Sequence, residues 1–338
     1  MTDFPGNSRD DGAGFVIGDS AYFGSGLNSW WTEESDFYIF DLSQEIWYSA
    51  PSLPFGEERQ YAASFSDGER YGYVFGGVQS GTFLNDLWRY DAQTQQWDSV
   101  ASLPGVGRGG AASFVLQDTA YVIGGRTSTD DAIIEVWAYS LVHDQWVQKN
   151  NFPYGSLWRA SACAENGLGF LIFGSDHNNA FSQTLYQYQP GTDQWTVRSQ
   201  FPSQGRTHAS LFTIDQQLYV VFGRDSLLQS HNDFWSYDLS SNVWTAGSNF
   251  PSAGRRGGIG LTHNGVFYYS TGIDSADTRL AETWKYDPTI SIQNWESSKG
   301  TKTLVKVTDL QGREVPFQKH MVLVLHYSDG SYQKVFYD

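Results

Sequence analysis

Residues 59–97, RQYAASFSDGERYGYVFGGVQSGTFLNDLWRYDAQTQQW, carry the pattern on which the rest of the chain is built. A Leu53-Pro54 turn signal precedes the stretch, and Arg59 opens it. Small residues Ala62, Ala63 and Ser64 follow, then an Asp67-Gly68 turn and an apolar run that closes on Gly76-Gly77. An aromatic run (Leu87, Trp88, Tyr90, Asp91) and a final Trp97 complete the unit. Two independent landmarks show that it repeats. The prolines that follow Phe or Leu, at Pro5, Pro54, Pro104, Pro153, Pro202 and Pro251, are spaced by 49, 50, 49, 49 and 49 residues. The closing tryptophans Trp47, Trp97, Trp146, Trp195, Trp244 and Trp295 are spaced by 50, 49, 49, 49 and 51. One period from two landmarks defines six copies of a single supersecondary unit.

Each copy resolves into four short strands, which in the first copy are expected near 13–17, 21–24, 37–41 and 46–50. The first hairpin turns at Gly18-Asp19. Its equivalents are Asp67-Gly68, Gln117-Asp118, Asn166-Gly167, Asp215-Gln216 and Asn264-Gly265, most of which tolerate the positive φ of a tight hairpin. The unit is therefore a four-stranded antiparallel meander. A sheet apolar on both faces cannot bury itself alone, and stacking copies around an axis solves the problem.

The glycine doublet, the spaced Trp/Tyr and the terminal Trp, at about 50 residues per copy, resemble the kelch repeat over residues 4–297. Doublets are intact at Gly76-Gly77 and Gly124-Gly125 and degenerate at Gly24-Ser25-Gly26, Gly174-Ser175, Gly223-Arg224 and Thr271-Gly272. The resemblance implies an all-β fold, a six-bladed kelch-type β-propeller, followed by a short β-rich appendage over residues 298–338. Glycine lets backbones approach where blades converge, and the large aromatics fill the widening wedge between blades.

Composition agrees with a turn-rich β protein: 35 glycines and 16% aromatic residues in 338. No apolar run approaches the roughly 18 residues of a membrane span, so a soluble chain with no transmembrane segment is expected, and a monomer. The net charge of −16 disfavours nucleic acid and anionic membranes, which require clustered cations. Cys163 is the single cysteine. It excludes an intrachain disulfide framework, and its small-residue surroundings read as core. No cofactor and no metal site is expected.

If the ring is scaffold, function lies in the loops. Arg9, Arg59, Arg108, Arg159, Arg206 and Arg255 stand just before the innermost strands, one per blade. They could ring one mouth of the channel and grip a carboxylate, because the guanidinium fork binds carboxylates in bidentate fashion. The competing reading is structural, each arginine tying loops together within its blade. Two places on, the residues vary (Asp11, Tyr61, Gly110, Ser161, His208, Gly257), as a specificity-determining set would. The loops between second and third strands add Trp30, Trp31 and His177 as ligand-binding candidates, and Trp158 lies beside Arg159.

No zinc-helix motif, phosphate loop or nucleophile elbow is present. The sequence therefore favours a binding module for a glycan, an acidic small molecule or a protein segment over an enzyme. Among kelch-like enzymes, sialic acid mutarotases act on an acidic sugar and are the enzymatic alternative that the resemblance implies. Galactose oxidase, which needs a copper site with a cysteine crosslinked to tyrosine, fits Cys163 poorly.

After Trp295 the period breaks. Ser297-Ser298-Lys299-Gly300 reads as a linker, followed by three strands with turns at Gln311-Gly312 and Asp329-Gly330. The pattern VKVTDLQGREV, an apolar strand and YSDGSYQKVF over 303–338 resemble the distal half of type IX secretion C-terminal sorting domains. That resemblance implies an exported, extracellular or cell-surface protein whose leader is absent from this sequence.

Overall fold

The structure, a computed structural model, describes residues 1–288, 295–297, 304–310, 312–316, 321–327 and 332–337. It contains six four-stranded antiparallel sheets, each from consecutive strands, and no helix among the described residues. In the first blade the strands are Ala13–Ile17, Ser20–Gly24, Phe37–Asp41 and Ile46–Ala50. The other five blades span 63–100, 112–148, 161–200, 210–246 and 259–297. This is the six-bladed propeller expected from the repeat. The hairpin tips adopt the left-handed backbone that their residues tolerate, as at Gly18 (φ 53°), Gly68 (φ 80°), Asn166 (φ 52°) and Asn264 (φ 47°).

The periodic aromatics pack between strands and blades. Trp97, Trp146, Trp195 and Trp244 each sit against a tyrosine of the neighbouring third strand, with ring centroids 4.8–5.2 Å apart. Those tyrosines are among the most deeply buried side chains. Such pairs add about 0.5–1.5 kcal/mol each beyond burial of area.

Two cyclic sets of backbone hydrogen bonds hold the blades together near the axis. In the first, Gly26, Gly77, Gly125, Gly174, Gly223 and Gly272 each donate the backbone N–H to a carbonyl of the next blade at 2.7–3.0 Å, which puts two of the degenerate doublets one residue earlier than the sequence pairing, at Phe173-Gly174 and Phe222-Gly223. These six glycines have φ between 90° and 104°, beyond the left-handed region open to other residues. The residue before each has φ of only 50–69°, which explains why Ser25, Phe173, Phe222 and Thr271 can stand there. The doublet is therefore one obligatory glycine preceded by a permissive position.

Blade six meets blade one without strand exchange. Phe4 N–H donates to Ala281 at 2.7 Å and Gly272 N–H to Arg9 at 2.8 Å. Ion pairs Arg279–Asp10 (2.6 Å) and Lys285–Glu45 (2.6 Å) cross the same junction. Apolar packing of Phe4, Ala21 and Phe23 with Ile259 and Tyr268 completes it.

Beyond the blades, Leu304–Thr308, Met321–Tyr327 and Tyr332–Tyr337 form a three-stranded antiparallel sheet. The 298–300 part of the expected linker, Gln311 of the first expected turn, and the Asp329-Gly330 turn lie outside the described residues.

Candidate functional site

The second cyclic set of hydrogen bonds builds the site. Asp11, Tyr61, Gly110, Arg159, His208 and Gly257, one residue per blade, stand two positions before the innermost strands. Each donates its backbone N–H to the equivalent carbonyl of an adjacent blade, at 2.6–3.4 Å, and the set closes on itself through Asp11 and Gly257. All six have φ between 55° and 68°. For four non-glycine residues this is a sparsely populated conformation, kept because the ring over-determines it. Immediately after them come Gly12, Ala62, Ala111, Ala160, Ala209 and Gly258, small residues that floor a cavity of about 170 Å³. The two glycines of the ring make room for neighbours. A Cβ on Gly257 would lie 2.7 Å from Asp11 Oδ1, and one on Gly110 would lie 3.2 Å from Arg159 Cγ.

Four side chains thus converge on the axis. His208 Nε2 is 3.6 Å from Asp11 Oδ1, with both side chains almost fully buried. That separation is too long for a hydrogen bond, and His208 Nε2 and Asp11 Oδ2 have no hydrogen-bond partner among the described residues. The other imidazole nitrogen, Nδ1, lies 2.9 Å from Thr207 Oγ1. The Arg159 guanidinium lies 4.4 Å from the Tyr61 ring centroid and 3.8 Å from that of Trp158, and its Nε is also unpartnered.

The electrostatics follow from this crowding. Burial, reinforced by the adjacent Asp10 carboxylate, raises the Asp11 pKa to about 7, although Arg159, Arg256 and the Tyr61 hydroxyl pull it down. Burial and the cations Arg159, Arg256 and Arg224 push His208 well below 6.5, so its imidazole is neutral. Burial also lowers Arg159 from its ordinary value, against the pull of Tyr61 and Asp11. Asp10 pairs with Arg279 at 2.6 Å and with Arg256 at 3.3 Å, and Arg256 approaches Asp11 Oδ2 at 3.9 Å. A carboxyl balanced between protonation states, a neutral imidazole and a guanidinium can bind an anion and exchange protons with it.

The expected ring of six guanidinium groups does not form. Arg9, Arg59, Arg108, Arg206 and Arg255 are fully buried inside their blades. Each pairs with a carboxylate 27 residues later: Asp36 (2.5 Å), Asp86 (2.8 Å), Glu135 (2.6 Å), Asp233 (2.6 Å) and Glu282 (2.5 Å). Four of these carboxylates also accept from the indole N–H two residues on, in Trp88, Trp137, Trp235 and Trp284, at 2.8–3.1 Å. Buried charges require this pairing and hydrogen bonding. The fourth blade departs from this pairing, with Leu157 and Thr184 where the others place arginine and carboxylate, and with Tyr186, like Tyr38 of the first blade, in place of the indole. Arg159 is thus not the counterpart of the other five arginines. It occupies the variable position two places on, and Ser161 lies within the innermost strand Ser161–Glu165. The strict period already carried this signal, since Leu157 lies 49 residues from both Arg108 and Arg206.

Of the remaining candidates, Tyr61 and His208 line the cavity, and Trp158 flanks Arg159. Trp30 and Trp31 are exposed on their loop. His177 is exposed beside Ser156, 3.1 Å from its Oγ, and does not line the cavity. Asp10, Arg256 and Arg279 were not legible as site neighbours, because they meet only when the first and last blades close.

Comparison with known proteins identifies the fold family. Residues 21–225 match the Attractin/LZTR1 β-propeller, and residues 205–251 match the kelch motif. N-acetylneuraminate epimerase of Haemophilus influenzae (strain PittEE) is 31% identical over 121 residues, covering 34% of this chain and 30% of that protein. The enzyme of the same name from Shigella sonnei (strain Ss046) is 29% identical over 121 residues, covering 34% and 31%. The similarity thus spans about a third of the length of these curated relatives. The solved structure of YjhT shares the fold, with a TM-score of 0.74 at 17% identity over 88% of this chain and 99% of that one. The chain belongs to the Attractin/LZTR1 β-propeller family, and its blades are kelch repeats.

Proposed function

We propose that the channel mouth binds a small acidic sugar and interconverts its anomers. The observation that carries this reading is the buried Asp11–His208 pair, with His208 Nε2 3.6 Å from Asp11 Oδ1 and with His208 Nε2 and Asp11 Oδ2 both unpartnered among the described residues, beside a guanidinium that has a free Nε. The partial similarity to N-acetylneuraminate epimerases supports the choice of sugar. Arg159 would hold the sugar carboxylate. Protonated Asp11 would donate its proton to the ring oxygen while neutral His208 takes the proton of the anomeric hydroxyl. The bond from anomeric carbon to ring oxygen breaks, leaving an open-chain carbonyl compound. Rotation presents the other carbonyl face, and closure returns both protons to their starting groups. No redox partner is required, and both residues end as they began.

NMR exchange spectroscopy of N-acetylneuraminate tests the proposal. The wild-type protein is expected to accelerate α/β exchange, and Asp11→Asn and His208→Ala each to lower that acceleration by about 10²–10⁴-fold. Exchange at the uncatalysed rate refutes anomerisation. If the sugar nevertheless binds, with affinity lost in Arg159→Ala, the mouth is a binding site alone.

Export, with residues 303–338 serving as a sorting segment, belongs to the same proposal. The support for it is the separate three-stranded sheet at 304–308, 321–327 and 332–337.

A further inference from the structure

The loops between the second and third strands share one turn in four blades. Asn28, Asp176, Asp225 and Asp274 each accept hydrogen bonds from the backbone N–H groups two and four residues on, at 2.8–3.1 Å. The fourth residue of each turn is left-handed: Trp31 (φ 61°), Asn179 (φ 59°), Leu228 (φ 65°) and Asp277 (φ 56°). Leu228 takes the same conformation in the fifth blade, so the capped turn imposes it whatever residue stands there. Trp31 gains no burial there, because both it and Trp30 are 72% exposed. Two adjacent tryptophans left exposed on one loop direct attention to ligand contact.

Trp31 is nevertheless fixed in place. The Arg279 guanidinium lies 4.5 Å from its ring centroid, and Arg279 Nε donates to Asp10 Oδ1 at 2.6 Å. Asp10 is the chain neighbour of Asp11, so the indole is tied through one buried ion pair to the edge of the cavity. The cavity is not enclosed, so a ligand held in it by its acidic end can extend beyond it. Because Arg279 is engaged by Asp10, the platform offers an aromatic surface for an uncharged ring.

We propose that Trp31, backed by Arg279, is a second subsite that stacks a neutral sugar ring attached to the acidic sugar in the cavity. The site's ligand is then an oligosaccharide ending in an acidic reducing sugar. This inference rests on the acidic-sugar reading of the mouth.

Isothermal titration with N-acetylneuraminate, and with a disaccharide carrying a neutral hexose on a reducing-end N-acetylneuraminate, tests it. The disaccharide is expected to bind about tenfold more tightly than the monosaccharide, a difference of about 1.4 kcal/mol. Trp31→Ala should abolish that gain while leaving monosaccharide affinity unchanged. Trp31→Phe should retain part of the gain, and Val243→Ala, at an exposed position on an outer strand, should retain all of it. Equal affinities in the wild-type protein, or a gain that survives Trp31→Ala, overturn the subsite while leaving the acidic-sugar reading intact. Binding of neither sugar removes both readings. Self-association abolished by Trp31→Ala, without a disaccharide gain, assigns the platform to a second copy of the chain and overturns the proposal.

Discussion

Replacing Asp11 by Asn should stabilise the protein in a strongly pH-dependent way. The substitution keeps shape, and Asn tolerates the left-handed backbone at φ 55°. The carboxyl titrates at about 7 when folded, against an ordinary value of 3.8. Between those values the folded protein holds a proton that the unfolded chain has released. The stability contribution is therefore fully present below pH 3.8 and is lost as pH rises through 7. At about 1.36 kcal/mol per pH unit, the loss grows from roughly 0.6 kcal/mol at pH 4 to roughly 4 kcal/mol at pH 8. Asn remains neutral throughout. Urea unfolding of both proteins at pH 4, 6 and 8 should show an advantage for the variant that widens by about 3–4 kcal/mol across the series. A difference that does not change with pH would refute the raised Asp11 and the acid role built on it.

Three further outcomes follow from the same geometry. Anomer exchange should stay level through weakly acidic pH and fall tenfold per pH unit above about 7, as Asp11 loses the proton it donates; a pH–rate profile measures this. Arg206→Leu should cost about 3–5 kcal/mol by stranding Asp233. The double change Arg206→Leu/Asp233→Thr, which copies Leu157 and Thr184 of the fourth blade, should recover at least about 1 kcal/mol of that in a double-mutant cycle. Gly77→Ala should destabilise by about 1–3 kcal/mol or more, because φ is 99° and the added Cβ would lie 2.7 Å from the Gln60 carbonyl oxygen; thermal unfolding reads it.

The propeller was legible because its determinants are periodic. Proline, glycine and tryptophan spacings report a unit that must bury the same surfaces six times, and the second glycine of each doublet reports a backbone angle no other residue adopts readily. The site was only half legible. His208 and Tyr61 stood out as variation at a repeated position, whereas Arg159 looked like a repeated arginine until Leu157 supplied the true register. The sequence did hold the distinction, because a carboxylate follows each of the five paired arginines by 27 residues whereas Tyr186 stands 27 residues after Arg159, but only the observed pairing shows that this spacing matters. It could not show Asp10, Arg256 and Arg279 beside Asp11, because that cluster joins residues almost a full chain apart.

The most direct measurement is a crystal structure of the protein with N-acetylneuraminate bound. The account predicts the sugar in the cavity at the channel mouth, its carboxylate on Arg159 and its ring oxygen and anomeric hydroxyl within hydrogen-bond reach of Asp11 and His208. A sugar bound on another surface, with the cavity holding only solvent, would contradict it.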